Sequence, residues 1–265
     1  MKATFKMSDL GLLHYYLGLE VSQSEAGITI CQSSYAAKIL ETARLTGCNP
    51  SATPMEPRLK LSKVSSAPSI DSTMYRSVVG SLRYLVNTRP DLAYSVGYIS
   101  RFMENPTTEH LAAVKRVLRY VTGTLHYGCF YKKKDAQLVG YSDNDLARDI
   151  DTRKSTTGVL FFLSDNAITW QSQKQKIVAL SSCEAEYIAA TTGACQGVWL
   201  ARLLAELKSE EASAITLRID NQSAIALSRN PVFHDRSKHI DVHYHFIREC
   251  VEEDRVRLQS IGTTE

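Results

Sequence analysis

The stretch "QLVGYSDNDLARDIDTRKSTTGVLFFLSDNAITWQSQ", residues 137–173, decides the fold of the C-terminal half of this chain. It contains three apolar runs, "QLVGYSD", "TTGVLFFL" and "AITWQSQ", and the turn "SDN" separates the second run from the third. Short runs rich in β-branched and aromatic residues, bounded by polar turns, are typical of β-strands. The stretch therefore predicts an antiparallel meander of three strands.

The elements that follow predict how this meander grows. A long helical pattern begins near Ser181, and after it come a strand "AITLRID", a short helix "SAIALSR", a helix "HIDVHYHFIRECVEE" and a last strand "RVRLQSI". Strands joined by helical crossovers add in parallel to a sheet. Residues 135–265 are therefore expected to form an α/β domain, with a mixed five-stranded sheet and flanking helices.

Two further parts precede this domain. Residues 1–57 contain "HYYLGLEVSQSEAGITICQ", which predicts a hairpin around a polar turn at Ser24–Gly27, and the helical segment "SSYAAKILETARL". Residues 58–134 continue a Pro-, Ser- and Lys-rich extended linker and then turn helical. In "TEHLAAVKRVLRYVTGT" the helical spacing places four apolar residues on one stripe: Leu111, Val114, Leu118 and Val121.

The overall composition is that of an ordinary globular protein. The chain has 265 residues, 44% of them hydrophobic and 22% charged, with a formal net charge of +3. Its longest apolar runs are too short to span a bilayer, and no secretory leader opens the sequence. The six cysteines form no CxxC pair, which indicates free thiols in a reducing compartment. We therefore expect no membrane partner and an intracellular location, cytoplasmic or nuclear.

The long helix begins with two glutamates, Glu184 and Glu186, in "VALSSCEAEYIAAT". Residues two apart in a helix point about 200° away from each other, so these two side chains have different surroundings. Ser181 followed by Glu184 is a capping box, in which the glutamate would accept from the N–H of Ser181. Glu186 instead starts a face of small residues that includes Gly193 and Gly197, and a charge at the edge of such a packed face requires a partner or a cation.

Three carboxylates are expected to meet in this topology. Asp143 lies near the end of the first strand of the meander, Asp220 ends the fourth strand, and Glu186 is one turn into the helix between them. If the first and fourth strands are neighbours, the three side chains converge at one edge of the sheet. Clustered carboxylates bind divalent cations, and Mg²⁺ is the natural choice where the substrate supplies phosphate. A pair of such ions would support phosphodiester hydrolysis.

Simpler interpretations exist for each of these residues. Asp143 and Asp220 taken singly are ordinary turn or cap residues, and Ser223 is the expected cap of the helix after Asp220. His239 and His243 have a spacing of four that can hold zinc, but there is no HExxH glutamate and no evident third ligand. The joint pattern of three acids favours the metal site.

Basic residues lie in the loops around the predicted acidic edge. Arg153 and Lys154 separate the first two strands, and Lys174 and Lys176 follow the third. Each pair alone is most simply a solvated loop. Together they are candidates for phosphate contacts beside an acidic site.

These segments resemble a known family over essentially the whole chain. "LVGYSDNDLARDIDTRKSTTGVLFFL", "ITWQSQKQKIVALSSCEAEYIAA" and "IDNQSAIALSRNPVFHDRSKHIDVHYHFIRE" resemble the RNase H domain of copia-type LTR-retrotransposon polyproteins. "MSDLGLLHYYLGLEV", "TPMEP" and "YRSVVGSLRYLVNTRPDLAYSVGYISRFMENPTTEHLAAVKRVLRYVTGT" resemble the C-terminal part of the reverse transcriptase and its connection to RNase H. The resemblance implies an RNase H-like fold in 135–265, a reverse-transcriptase fragment in 1–57 and a linker with a helical connection in 58–134.

The same resemblance implies an activity. Asp143, Glu186 and Asp220 correspond to the first three carboxylates of the RNase H site. The expected reaction is Mg²⁺-dependent cleavage of the RNA strand of an RNA–DNA hybrid, with Mn²⁺ as a possible substitute. The expected partners are the hybrid and, in the parent element, the upstream polymerase part of the polyprotein.

Three departures from the family pattern qualify that activity. The polymerase Tyr-x-Asp-Asp turn belongs to an upstream segment, so this chain is not expected to polymerise DNA. Leu146 and Arg148 replace a tryptophan and a glycine that are common in the family. The fourth carboxylate of RNase H folds follows the last strand on a further helix, and Asp241 is the nearest substitute here. The alternative to an active nuclease is a weak or inactive transposon remnant that folds and binds nucleic acid.

Overall fold

The computed structural model describes residues 11–229 and 245–262, which contain two β-sheets and the helices that accompany them. The strands within these ranges are β1 (Tyr15–Tyr16), β2 (Leu19–Ser24), β3 (Gly27–Cys31), β4 (Gly128–Tyr131), β5 (Leu138–Asp145), β6 (Thr156–Leu163), β7 (Asn166–Lys174), β8 (Ile215–Ile219) and β9 (Val256–Ser260). The α-helices within them are α1 (Ser33–Thr42), α2 (Ser72–Leu85), α3 (Ala93–Ile99), α4 (Thr108–Gly123), α5 (Ser182–Lys208), α6 (Gln222–Arg229) and α7 (Phe246–Glu252).

The first sheet has the strand order β1-β2-β3-β4. β2 and β3 form the antiparallel hairpin that the sequence predicts, and Ser24 pairs with Gly27 across its turn. Gly27 has a φ of 147°, and a Cβ there would lie 2.3 Å from the carbonyl oxygen of Tyr131, so the position requires glycine. That close approach arises because β4, far along the chain, pairs antiparallel with β3.

Helices α1 to α4 share one apolar core. Tyr75 of α2 is fully buried in it. The stripe predicted on α4 faces this core, because Val114, Leu118 and Val121 are buried and Leu111 is half-buried. Burial of one face of each amphipathic helix is what holds these helices together.

The second sheet has the strand order β7-β6-β5-β8-β9. β5, β6 and β7 are antiparallel, as the opening stretch predicts, whereas β5, β8 and β9 run parallel. Helices α5 and α6 are the crossovers that parallel pairing requires. The mixed five-stranded sheet with flanking helices confirms the expected RNase H-like α/β fold class.

Helix α5 lies unusually close to this sheet because its contact face is made of small residues. A Cβ added to Gly197 would lie 2.1 Å from Cδ1 of Ile215, and one added to Gly193 would lie 3.1 Å from Cδ1 of Leu217. Ala189 and Ala190 are fully buried on the same helix. The predicted small-residue face is therefore confirmed.

Two sequence predictions about the last helices need comment. The cap of α6 is Asn221, whose Oδ1 accepts from the N–H of Ala224 at 3.0 Å, so the prediction that Ser223 caps this helix is wrong. Asn221 is the second residue after β8, and asparagine caps a helix as well as serine does. The helix therefore starts earlier than a cap at Ser223 would allow. Of the predicted helix 239–253, the described part contains α7, and the positions of Asp241, His239 and His243 lie outside the described residues.

Two further properties of the described ranges concern membrane spans and cysteines. None of the helices in the described ranges is long and apolar enough to cross a membrane. All six cysteines lie in those ranges and are free thiols, as expected. The division of the chain at 57/58 and 134/135 stays a prediction.

Candidate active site

The three predicted carboxylates lie at the carboxyl ends of two adjacent parallel strands and at the start of the helix that connects them. Tyr141 of β5 is level with Arg218 of β8, so Asp143 and Asp220, each two residues further on, lie at the same edge of the sheet. Glu186 enters from the first turns of α5, which packs across β5 and β8. The parallel pairing of β5 with β8, together with this helix, brings the three acids together.

The carboxylate oxygens are close enough to share a cation. One oxygen from each of Asp143, Glu186 and Asp220 lies within 4.8 Å of the others. Glu186 is only 4% exposed, whereas both aspartates are exposed to solvent. The site thus consists of one buried carboxyl group, from Glu186, and two solvent-accessible ones, from Asp143 and Asp220.

The electrostatics of the site show an excess of negative charge. Burial, followed by repulsion from Asp220 and Asp143, raises the pKa of Glu186 to about 8, although hydrogen bonding to Asn144 opposes the shift. Burial and the charge of Asp220 also raise the pKa of Asp143, against a hydrogen bond from the Asn144 N–H. At neutral pH the carboxyl group of Glu186 therefore holds a proton unless a cation takes its place.

Unpartnered polar atoms surround the same point. Oε2 of Glu186 is buried without a hydrogen-bond partner, and so are Oγ of Ser142 and Oδ1 of Asn144. Buried polar atoms are nearly always satisfied in folded proteins, so an orphaned carboxylate oxygen among other carboxylates indicates a site that can bind a cation. The donor set of hard oxygens fits Mg²⁺ or Mn²⁺.

Glu184, by contrast, caps the helix. Oγ of Ser181 accepts from the N–H of Glu184 at 3.2 Å, as predicted. The carboxylate of Glu184 accepts from the N–H of Leu180 at 2.8 Å, one residue before the expected donor. The two glutamates therefore occupy different environments, as the helical geometry predicts.

The four predicted phosphate-contacting residues lie at this end of the sheet, Lys174 as the last residue of β7 and the other three in loops. Nζ of Lys154 donates to the carbonyl oxygen of Lys176 at 2.5 Å, which joins the two loops. Lys174 forms an ion pair with Asp149 at 3.2 Å. Arg153 and Lys176 are exposed. Their role as nucleic-acid contacts stays a prediction.

Sequence reasoning missed two neighbours of the site. Asn144, between two aspartates in "SDND", contacts both Asp143 and Glu186, and only its adjacency to Asp143 signalled it. Asp149 binds Arg101 of the helical region at 3.3 Å, and no local pattern identifies such a distant partner. His245 shares a hydrogen bond of 2.9 Å with the hydroxyl of Tyr187.

A groove of about 870 Å³ adjoins the two exposed aspartates. Tyr141, Arg218 and Tyr94 of α3 are among the residues that line it. The guanidinium of Arg218 donates to the hydroxyl of Tyr141 at 2.7 Å. The acidic edge therefore opens onto a solvent-accessible groove.

Comparison with known proteins gives this site a family context. A family model described as reverse transcriptase (RNA-dependent DNA polymerase) matches residues 1–57. The chain is 43% identical to the retrovirus-related Pol polyprotein from transposon TNT 1-94 of Nicotiana tabacum, over 100% of this chain and 21% of that protein. It is 42% identical to the corresponding polyprotein from transposon RE1 of Arabidopsis thaliana, over 98% of this chain and 18% of that protein. The chain thus spans about a fifth of the length of these relatives.

A solved structure supports the fold. The foamy viral protease-reverse transcriptase in complex with dsDNA matches with a TM-score of 0.52 and 13% identity, over 94% of this chain and 44% of that one. An identity this low shows a shared fold alone. Sequence similarity extends over the whole chain, which is similar to one segment of the retrovirus-related Pol polyproteins from these transposons.

Proposed function

We propose that this chain carries an RNase H-type active site that hydrolyses the RNA strand of an RNA–DNA hybrid. The observation that carries the proposal is the convergence of Asp143, Glu186 and Asp220 within 4.8 Å, with Oε2 of Glu186 buried and unpartnered. Such an arrangement is unfavourable for a purely structural cluster, because like charges repel and a buried charge without a partner is costly. It suits a site that binds divalent cations.

The three carboxylates are the residues that would hold these cations. When bound, divalent cations would supply a polarised phosphate and an activated water for phosphodiester hydrolysis. Mg²⁺ is the favoured ion, and Mn²⁺ is compatible with the same oxygens.

The chain's own contribution is to fix the ligands. Asp143 is held within β5 by pairing with Gly158, and Asp220 directly follows β8. Glu186 is held by a helix that the small-residue face seats tightly on the sheet. Ligands on regular elements keep their geometry better than ligands on loops. The hydrogen bond from Asn144 further orients Asp143.

The nature of the substrate rests on three supports. The relatives are retrovirus-related Pol polyproteins, and the structural neighbour was solved with dsDNA. The adjoining groove is large, and Arg153 and Lys176 expose positive charge in the loops at this end of the sheet. Together they favour a nucleic-acid duplex with an RNA strand as substrate. Polymerisation is not part of the proposal.

Cleavage of a hybrid labelled on its RNA strand tests the proposal. The chain should cut that strand with Mg²⁺ or Mn²⁺ and should leave a DNA duplex of the same sequence intact. Glu186→Gln should abolish the cut, and Glu184→Gln is the matched control that should retain it. Binding of the hybrid without any cleavage would instead support the inactive, nucleic-acid-binding remnant.

A further inference from the structure

The C-terminal part of α5 exposes an apolar stripe that the RNase H-type site does not use. Trp199 is 57% exposed, Leu203 38% and Leu207 76%. Ala201 is the last residue of this helix that is buried, so its final two turns project beyond the core. Apolar side chains of this size rarely cluster at a surface without a partner.

Helical geometry makes these three residues one face. Residues four apart are offset by about 40°, so Trp199, Leu203 and Leu207 fall on a strip about 80° wide. That width matches the seam by which one helix packs against another. Within the described ranges, no element covers this strip.

The charges beside the strip are arranged for a copy of the same helix. Arg202 and Glu206 lie one turn apart on the same side of the apolar strip. Around the axis of α5 they are rotated by about −100° and −60° relative to Leu203. A two-fold axis that pairs two antiparallel helices at Leu203 brings this flank against the same flank of the other helix. Arg202 of each copy then lies within about one turn of Glu206 of the other, so both ion pairs form by symmetry.

We propose that the chain self-associates as an antiparallel dimer through Trp199, Leu203 and Leu207, with Arg202 paired to Glu206 of the second copy. The strip covers only about two to three helical turns, so the area that it can bury is well below the roughly 1,600 Å² of a standard stable interface. The dimer is therefore weak and reversible, and it dissociates on dilution. It leaves the acidic edge at the other end of α5 accessible.

Sedimentation of the full chain over a range of concentrations tests this dimer. The wild type should shift from monomer to dimer as concentration rises. Leu203→Glu places two like charges at the axis and should weaken association at least about tenfold. Val64→Glu is the matched control, because Val64 is 87% exposed elsewhere, and it should associate like the wild type. A wild type that stays monomeric, or a Leu203→Glu variant that associates normally, would overturn the proposal.

Charge exchange separates a second copy from any other partner. Arg202→Glu alone and Glu206→Arg alone each place like charges across the axis and should each weaken self-association about tenfold. An equimolar mixture of the two variants restores complementary charges and should form mixed dimers with near wild-type affinity. Failure of the mixture to associate, with both variants shown to be folded by circular dichroism, would refute the proposed pairing.

Discussion

At the scale of single residues, Glu184 and Glu186 show how neighbours in sequence acquire different chemistry. Glu184 lies outside the contact between α5 and the sheet, and its carboxylate accepts from the N–H of Leu180. Glu186 is buried and lies beside Asp143 and Asp220. This difference was predictable, because the angular offset of a helix is fixed and the small residues mark the packed face. The exact donor to Glu184 was not predictable, because it depends on the loop before the helix.

The two glutamates should therefore respond differently to substitution. Glu184→Ala removes a cap and should lower the free energy of unfolding by about 1 kcal/mol while hybrid cleavage is retained. Glu186→Gln should abolish cleavage without loss of stability. Urea unfolding and the cleavage assay measure the two effects. If both variants lose activity to the same degree, the assignment of faces is wrong.

Glu186 should also make the stability of the metal-free chain depend on pH. Its pKa is raised from 4.5 to about 8, so the folded chain keeps a proton that the unfolded chain releases. Stability is then fully present below about pH 4.5 and falls as pH rises toward 8, by on the order of 4 kcal/mol. Urea unfolding at pH 5 and pH 8 measures this loss. Glu186→Gln should lack it, and Mg²⁺ should restore the wild type at pH 8. Equal pH dependence in both proteins would contradict the assignment.

At the scale of elements, the strands and helices of the second sheet were accessible from their periodicity, whereas pairings between distant segments were not. The apolar alternation in 137–173 signalled β5, β6 and β7. Nothing local showed that β4 would pair with β3, because the complementary edge is far away in sequence. Likewise, Ser223 was predicted to cap α6, but asparagine is as good a cap as serine. Only the observed start of the helix shows that Asn221 is the cap.

The tight seating of α5 gives a prediction at this scale. Gly197→Ala would place a Cβ 2.1 Å from Cδ1 of Ile215 and 3.0 Å from Cζ of Phe161, so these side chains must rearrange or the helix must shift away from the sheet. We expect a loss of about 1–3 kcal/mol in the free energy of unfolding, and weaker hybrid cleavage where the shift of the helix displaces Glu186. Gly80→Ala in α2 is the control, because nothing lies within 4 Å of its Cβ position, and it should be stabilising by about 0.5–1 kcal/mol. A Gly197→Ala variant as stable as Gly80→Ala would contradict the close packing.

At the scale of the whole molecule, a buried ion cluster joins the helical region to the acidic edge. Asp149, in the loop after β5, binds Arg101 at 3.3 Å and Lys174 at 3.2 Å, and the side chains of Asp149 and Arg101 are 8% and 10% exposed. Arg101 also donates to Oγ1 of Thr156 at 2.8 Å. The helical region therefore helps to hold the loop that follows Asp143.

Removal of the central charge should be costly. Asp149→Asn leaves two cations facing each other in a buried site and should lower the free energy of unfolding by roughly 3 kcal/mol. The control is Asp254→Asn, because Asp254 pairs with Arg257 while both side chains are more than half exposed, and its substitution should leave the free energy of unfolding nearly unchanged. Urea unfolding compares the two. Equal losses in the free energy of unfolding for the two variants would show that the ion pairs of Asp149 stabilise the fold no more than an exposed ion pair does.

We propose that three carboxylates from two strands and one helix form a divalent-cation site. Mn²⁺ binding followed by electron paramagnetic resonance is the most direct test of this site. The wild-type chain should bind Mn²⁺ in competition with Mg²⁺, more tightly at pH 8 than at pH 6, because the pKa of Glu186 is about 8. Glu186→Gln and Asp143→Asn should each weaken binding at least about tenfold, and Glu184→Gln should bind like the wild type. Mn²⁺ binding that is unchanged in Glu186→Gln would contradict the account.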